Sequence, residues 1–226
     1  VYKRQLCALA PWIGVHRPRL PVTCVRTFFR QLLLAREPVV FNEVVQALPV
    51  ICPSLACHMT ATQAEDLVLE TARAWMDQTP TCDPLHGLLQ RAREALEAMP
   101  HTTRIRNELA FLNLLARLHE YAWPSSAEPL TPRRVRAVPQ KLELFARVLA
   151  YNRDAYQTRQ IRSLGEACSE GSGSTDNAVR ISAMLVDAAA ANGDLVAACR
   201  ECERLVTLVQ AIDRATNVEA YDAAWR

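Results

Sequence analysis

The sequence predicts an all-α protein: an irregular α-solenoid of antiparallel helix pairs, a right-handed superhelical array, read as a fragment of a longer protein. Three observations predict it. From Thr23 onward, amphipathic patterns with helical spacing follow one another, and no alternating stretch interrupts them. Each pattern is opened by a cap residue and closed by Pro, Gly or a short polar turn. Glycine occurs only six times in 226 residues, which suits helices and disfavours barrels and phosphate-cradling loops. Helix pairs laid side by side bury a continuous seam and leave their outer ridges as a docking surface.

The elements follow in order. Thr23 precedes Val25, Phe28, Phe29, Leu32 and Leu33, and Glu37-Pro38 closes that helix, because a residue before proline avoids the helical region. A shorter segment carries Val40, Val44, Val45 and Leu48 and ends at Pro49. Thr60-x-x-Gln63 has the form of a capping box, with the Gln side chain reaching back to the cap. The helix it opens holds Ala64, Leu67, Val68, Thr71 and Trp75, and Thr79-Pro80 ends it.

Asp83-Pro84 predicts the next start: Asp accepts from orphan N–H groups, and proline at the first helical position loses no bond. Leu85, Leu88, Leu89, Ala92 and Leu96 follow on one face until Pro100. Thr102 or Thr103 opens a long helix with Ile105, Leu109, Leu112, Ala116 and His119 on one side, stopped by Trp123-Pro124. Residues 124–131 read as a surface loop.

Thr131-Pro132 repeats the cap-then-proline device, and Pro139 kinks or restarts the helix that continues through Leu142, Phe145, Ala146 and Leu149. Tyr156, Ile161, Leu164 and Cys168 mark the next helix, followed by a Ser/Gly connector at 169–176. Ala178, Ile181, Leu185 and Ala189 belong to a helix ended by Asn192-Gly193, a pair suited to the left-handed cap conformation. Asp194 caps the last helix, whose Leu195, Ala198, Cys199, Cys202, Leu205, Val206 and Val209 are expected to face inward. So tight a turn makes these two helices antiparallel neighbours. Helix starts near 24, 39, 61, 84, 103, 132, 155, 177 and 195 follow no fixed period, so strict tetratricopeptide or pentatricopeptide repeats fit poorly.

Residues 1–5, Val-Tyr-Lys-Arg-Gln, are what GTG TAT AAG AGA CAG encodes, a transposase sequencing-adapter read through. They are expected to be a scar outside the fold. Residues 6–226 are expected to form a partial helical-solenoid domain. A core of useful size is available, since half the residues are hydrophobic. The formal charge of +2 carries no long like-charge run and gives no electrostatic case for nucleic acid or an anionic membrane. No apolar run reaches the roughly 20 residues that span a bilayer.

Candidate chemistry is sparse. Most of the eight cysteines (7, 24, 52, 57, 82, 168, 199, 202) read as small core residues in a reducing compartment. Cys199-x-x-Cys202 sits inside a helix with no strand beside it, so core packing is expected rather than redox exchange. Cys52, Cys57 and His58 offer three zinc ligands where four are needed, so no metal is expected. Histidines 16, 58, 86, 101 and 119 are isolated; His119 is read as a core imidazole and His86 as exposed. Arg104, Arg106, Arg133, Arg134 and Arg136 read as solvated helix faces rather than a phosphate patch, and Phe28, Phe29, Trp75, Phe111, Trp123 and Phe145 as packing anchors. No nucleophile elbow or phosphate loop is found, so no catalytic, cofactor-binding or metal site is assigned and no enzyme is expected.

Several stretches share an order and spacing with a known family. Thr62 to Trp75 (T-Q-A-E-D-L-V-L-E-T-A-R-A-W) leads into Cys82-Asp-Pro-Leu-His-Gly-Leu-Leu89. Pro129-Leu-Thr-Pro-Arg-Arg-Val-Arg136 and Lys141-Leu-Glu-Leu-Phe-Ala-Arg-Val-Leu149 follow, then the Asn192-Gly193-Asp194 turn into A-A-C-R-E-C. Over residues 60–210 the chain resembles the secretory-pathway Sec39 domain family, which includes the neuroblastoma-amplified-sequence proteins. Asp83-Pro84-x-x-Gly87-Leu88 is its most specific part. The resemblance implies a non-enzymatic solenoid subunit of the Dsl or NRZ tethering complex, peripheral on the cytosolic face of the endoplasmic reticulum. Its implied role is retrograde Golgi-to-ER transport and SNARE assembly, with tether subunits and ER SNAREs as partners. No cofactor, small-molecule substrate or nucleic acid belongs to that role. A helical-repeat adaptor of coat or kinetochore type and an RNA-binding helical repeat are the alternatives.

Overall fold

The computed structural model describes residues 27, 30, 31, 60–123, 129–169 and 175–224. Among these there is no strand. In chain order the helices are α1 (Ala61–Gln78), α2 (Gly87–Glu97), α3 (Thr103–His119), α4 (Pro132–Ala137), α5 (Leu142–Tyr151), a 3-10 turn (Ala155–Gln157), α6 (Arg159–Ser169), α7 (Thr175–Ala191) and α8 (Leu195–Ala224). The all-α expectation is met. The start expected near 39, and all but three residues of the one near 24, lie outside the described residues. The chain divides into two compact units: Val1–Thr79 with Asp83–Leu112, and Pro80–Cys82 with Asn113–Arg226.

In the first unit, local sequence signals set the helix ends. The capping box forms: the Gln63 N–H donates to Thr60 Oγ1 at 3.2 Å, and the Thr60 N–H donates to Gln63 Oε1 at 2.9 Å. Both bonds satisfy donors that a helix start leaves orphaned. The inward face of α1 buries Leu67, Val68, Leu69, Ala72, Trp75 and Met76, and α2 packs along it with Leu89, Ala92, Ala95 and Leu96. Two threonines in this core lose no hydrogen bond. Thr71 Oγ1 donates to the Leu67 carbonyl at 2.7 Å and Thr79 Oγ1 to that of Trp75 at 2.8 Å.

The start of α2 differs from expectation. Asp83 Oδ1 accepts from the Leu85 N–H at 2.9 Å, and the Asp83 carbonyl accepts from the His86 N–H at 3.0 Å. The aspartate thus closes a turn on itself instead of capping a helix. The helix begins at Gly87, with His86 Nδ1 accepting from the Leu88 N–H. Leu85, expected in the seam, is consequently 84% exposed.

For α3 the structure settles the start: Thr102 Oγ1 accepts from the Ile105 N–H at 3.3 Å. Polar links fasten α3 to α1. Arg104 donates to Asp66 at 2.7 Å, and Arg73 Nε donates to Glu108 Oε1 at 2.7 Å. The Asp66 hydrogen bond, opposed by some desolvation, raises the Arg104 guanidinium above its usual value.

In the second unit, the Trp123 indole N–H donates to the Leu118 carbonyl at 3.1 Å, closing the end of α3. Thr131 caps α4 with Pro132 in the first turn, as the sequence indicates. Pro139 restarts rather than kinks the helix, since α4 ends at Ala137 and α5 begins at Leu142. The orphan carbonyls of α4 find Lys141, whose ammonium donates to the Val135 and Arg136 carbonyls at 2.6 and 3.0 Å and also to Val138. Burial, then the Arg136 charge, lowers the Lys141 ammonium from its usual range. Lys141→Met is expected to cost about 1 kcal/mol through loss of this cap, read by urea denaturation; an unchanged midpoint contradicts it.

Tyr156, expected within the helix of Ile161, instead lies in the 3-10 turn that precedes it. The core of this unit gathers Leu144, Phe145, Val148, Ile161, Leu164, Ile181, Leu185 and Ala189. Where α6 meets α7, Gly165 lies so close to Ile181 that an added Cβ would meet its Cγ2 at 2.9 Å. The α7–α8 turn has the expected chemistry. Gly193 takes a φ of 76°, and Asp194 Oδ1 accepts from the Ala197 N–H at 3.0 Å.

Candidate interaction surface

Helix α8 shows the largest departure from the sequence reading. It carries two apolar stripes: of the residues expected inward, Ala198 and Leu205 lie on the covered one, and Leu195, Cys199, Cys202, Val206 and Val209 lie on the exposed one. Ala198 is buried, and Glu201, Leu205, Leu208 and Ile212 are half-buried beside it. Leu195, Val196, Val206 and Val209 are 69%, 72%, 54% and 40% exposed, and Cys199 and Cys202 are exposed with them. The physical reason is helical phase. Arg162 of α6 pairs with Glu201 and also donates to Ser182 of α7 at 3.2 Å. Those contacts turn the Glu201 side inward and carry the other stripe out.

The exposed stripe has a coiled-coil spacing. Leu195, Cys199, Cys202, Val206 and Val209 succeed one another by four, three, four and three residues, the repeat that holds one helix seam against another helix. A contiguous apolar ridge of this kind marks a protein contact more often than a solvated face.

Cys199 and Cys202 are therefore surface thiols, correcting the core-packing expectation. Cys82 and Cys168 are buried as expected. Cys82 donates its S–H to the Leu130 carbonyl at 3.3 Å, and burial pushes its thiol up to about 12. Only the thiolate is nucleophilic, so Cys82 is inert near neutrality. Iodoacetamide on the native protein is expected to label Cys199 and Cys202 within minutes and to spare Cys82 and Cys168 until denaturant is added. Mass spectrometry reads the order, and faster labelling of Cys82 contradicts this burial pattern.

The remaining candidates are placed as follows. His119 is exposed at the end of α3 rather than a core imidazole, and His86 is half-buried as a cap rather than exposed. Arg104, Arg106, Arg133 and Arg134 are exposed and Arg136 is half-buried. Trp75 and Phe145 are buried, while Phe111 and Trp123 are half-buried. Cys52, Cys57 and His58, with His16, Phe28 and Phe29, lie outside the described residues. Among the described residues no three His, Cys, Asp or Glu side chains gather as a metal site, and no helix is long and apolar enough to cross a membrane.

The family model for the secretory pathway protein Sec39 matches residues 26–226. No curated protein matches the chain. The match reaches beyond the 60–210 stretch of the resemblance, taking in residues 26–59 that motif reading left unplaced. Together, the helical elements and this match over most of the length show that the chain belongs to the Sec39 family of secretory pathway proteins.

Proposed function

We propose that the chain is part of a non-enzymatic scaffold subunit of an endoplasmic-reticulum tethering complex, acting in retrograde Golgi-to-ER transport and SNARE assembly. Membership of the Sec39 family carries this reading. The exposed ridge of α8 supports it, because a scaffold needs apolar surface that its own fold leaves uncovered. In this reading residues 6–226 belong to one α-solenoid, a stiff rod that holds a tether subunit at one end and a SNARE at the other. It works peripherally on the cytosolic face of the membrane and contributes positioning rather than chemistry.

Co-precipitation of the full-length protein tests the proposal. ER SNAREs and a helical tether subunit are expected to come down with it. Recovery of coat or kinetochore components in their place refutes the tethering role and favours the generic adaptor.

A further inference from the structure

A cleft of about 660 Å³ opens between the 3-10 turn, the start of α6 and the first turns of α8. Four arginines (159, 162, 200 and 204) and two carboxylates (Asp194 and Glu201) line it. The carboxylates are already engaged. Glu201 holds Arg162 and, at 2.6 Å, Arg204. Asp194 Oδ1 caps α8, and its Oδ2 accepts from the Tyr156 hydroxyl at 3.2 Å and from Gln157 Nε2 at 3.4 Å. Arg162 is fixed further by its bond to the fully buried Ser182.

Arg159 and Arg200 are different. Both are exposed on the cleft, and neither side chain has a hydrogen bond or ion pair among the described residues. The cleft thus presents two spare guanidinium forks beside two that are already paired. A planar guanidinium binds a carboxylate through two parallel hydrogen bonds. Val196, 72% exposed, and Ala197 add apolar lining to the same cleft.

We propose that this cleft binds an acidic peptide segment of a protein partner. Two of its carboxylates pair with Arg159 and Arg200, and an aliphatic side chain covers Val196. Charge complementarity favours this occupant over a polyanion. The fixed carboxylates of Asp194 and Glu201 repel closely packed phosphates but tolerate single charges spaced along a peptide. The near-neutral sequence also carries no long run of basic residues for a nucleic-acid backbone to follow. The inference deepens the scaffold reading by naming a partner chemistry. Peptide binding by the purified chain is read separately from co-precipitation, so either can fail while the other stands.

The test is fluorescence anisotropy with a labelled peptide, Gly-Asp-Glu-Leu-Glu-Asp-Leu-Gly, and its Asn/Gln counterpart. The acidic peptide is expected to bind at least about tenfold more tightly than the neutral one. Arg159→Glu with Arg200→Glu is expected to remove about tenfold or more of that affinity while leaving helical circular dichroism unchanged. Arg133→Glu with Arg180→Glu, at exposed positions of α4 and α7 outside the cleft, makes the same net charge change and is expected to leave binding within about twofold. Should the charge-reversed chain misfold, Arg159→Gln and Arg200→Gln are read singly, each expected to weaken binding. Equal loss in the remote control, no measurable binding, or tighter binding of single-stranded RNA or phosphatidylserine vesicles through the same arginines overturns the proposal.

Discussion

Gly165→Val is expected to destabilise the second unit by about 3 kcal/mol. An added Cβ at Gly165 would meet Ile181 at 2.9, 3.2 and 3.3 Å through Cγ2, Cγ1 and Cδ1. Ile181 is buried and branched at Cβ, so its rotamer is stiff and it has no open space to turn into. The two further methyl groups of valine leave α6 and α7 to separate. Replacing a helical glycine would otherwise stabilise by up to about 1 kcal/mol, and the clash outweighs that gain. Gly87, with nothing within 4 Å of an added Cβ, supplies the contrast; Gly87→Ala is expected to be neutral or slightly stabilising. Urea denaturation followed by helical signal reads both, and a Gly165→Val chain as stable as its parent contradicts the packing described.

Arg73→Met is expected to cost about 2 kcal/mol in the first unit. Glu108 is only 5% exposed, and Arg73 reaches its Oε1 through Nε at 2.7 Å and through Nη2 at 2.5 Å. Removing the guanidinium takes a charge-assisted partner from an almost fully buried carboxylate. The arginine itself is half in solvent, which holds the loss below that of a fully buried pair. The double variant Arg73→Met/Glu108→Leu is expected to recover most of the stability, since neither charge remains to be desolvated. Additive losses in the double variant contradict this coupling.

What was legible in the sequence was local. The Thr60/Gln63 box, the Thr131-Pro132 start and the Asn192-Gly193-Asp194 turn rely on atoms within a few residues of each other. Asp83-Pro84 misled because one aspartate oxygen serves a turn as readily as a helix start, and the sequence does not say which N–H it will meet. The buried Glu108 pairs with Arg73, 35 residues upstream, and no periodicity announces such a partner. Helix α8 held two apolar stripes, and only packing against α6 and α7 decided which was covered. The arginines of the cleft are not legible for the same reason: Arg159 and Arg200 are far apart in the chain and line one cleft only through the fold.

Photo-crosslinking from the α8 ridge tests the scaffold account most directly. With benzoylphenylalanine replacing Val206 in the full-length protein in cells, the account predicts a covalent adduct to a secretory-pathway partner. Adducts confined to the protein's own chain, or none beyond those from an exposed control at Arg180, would contradict it.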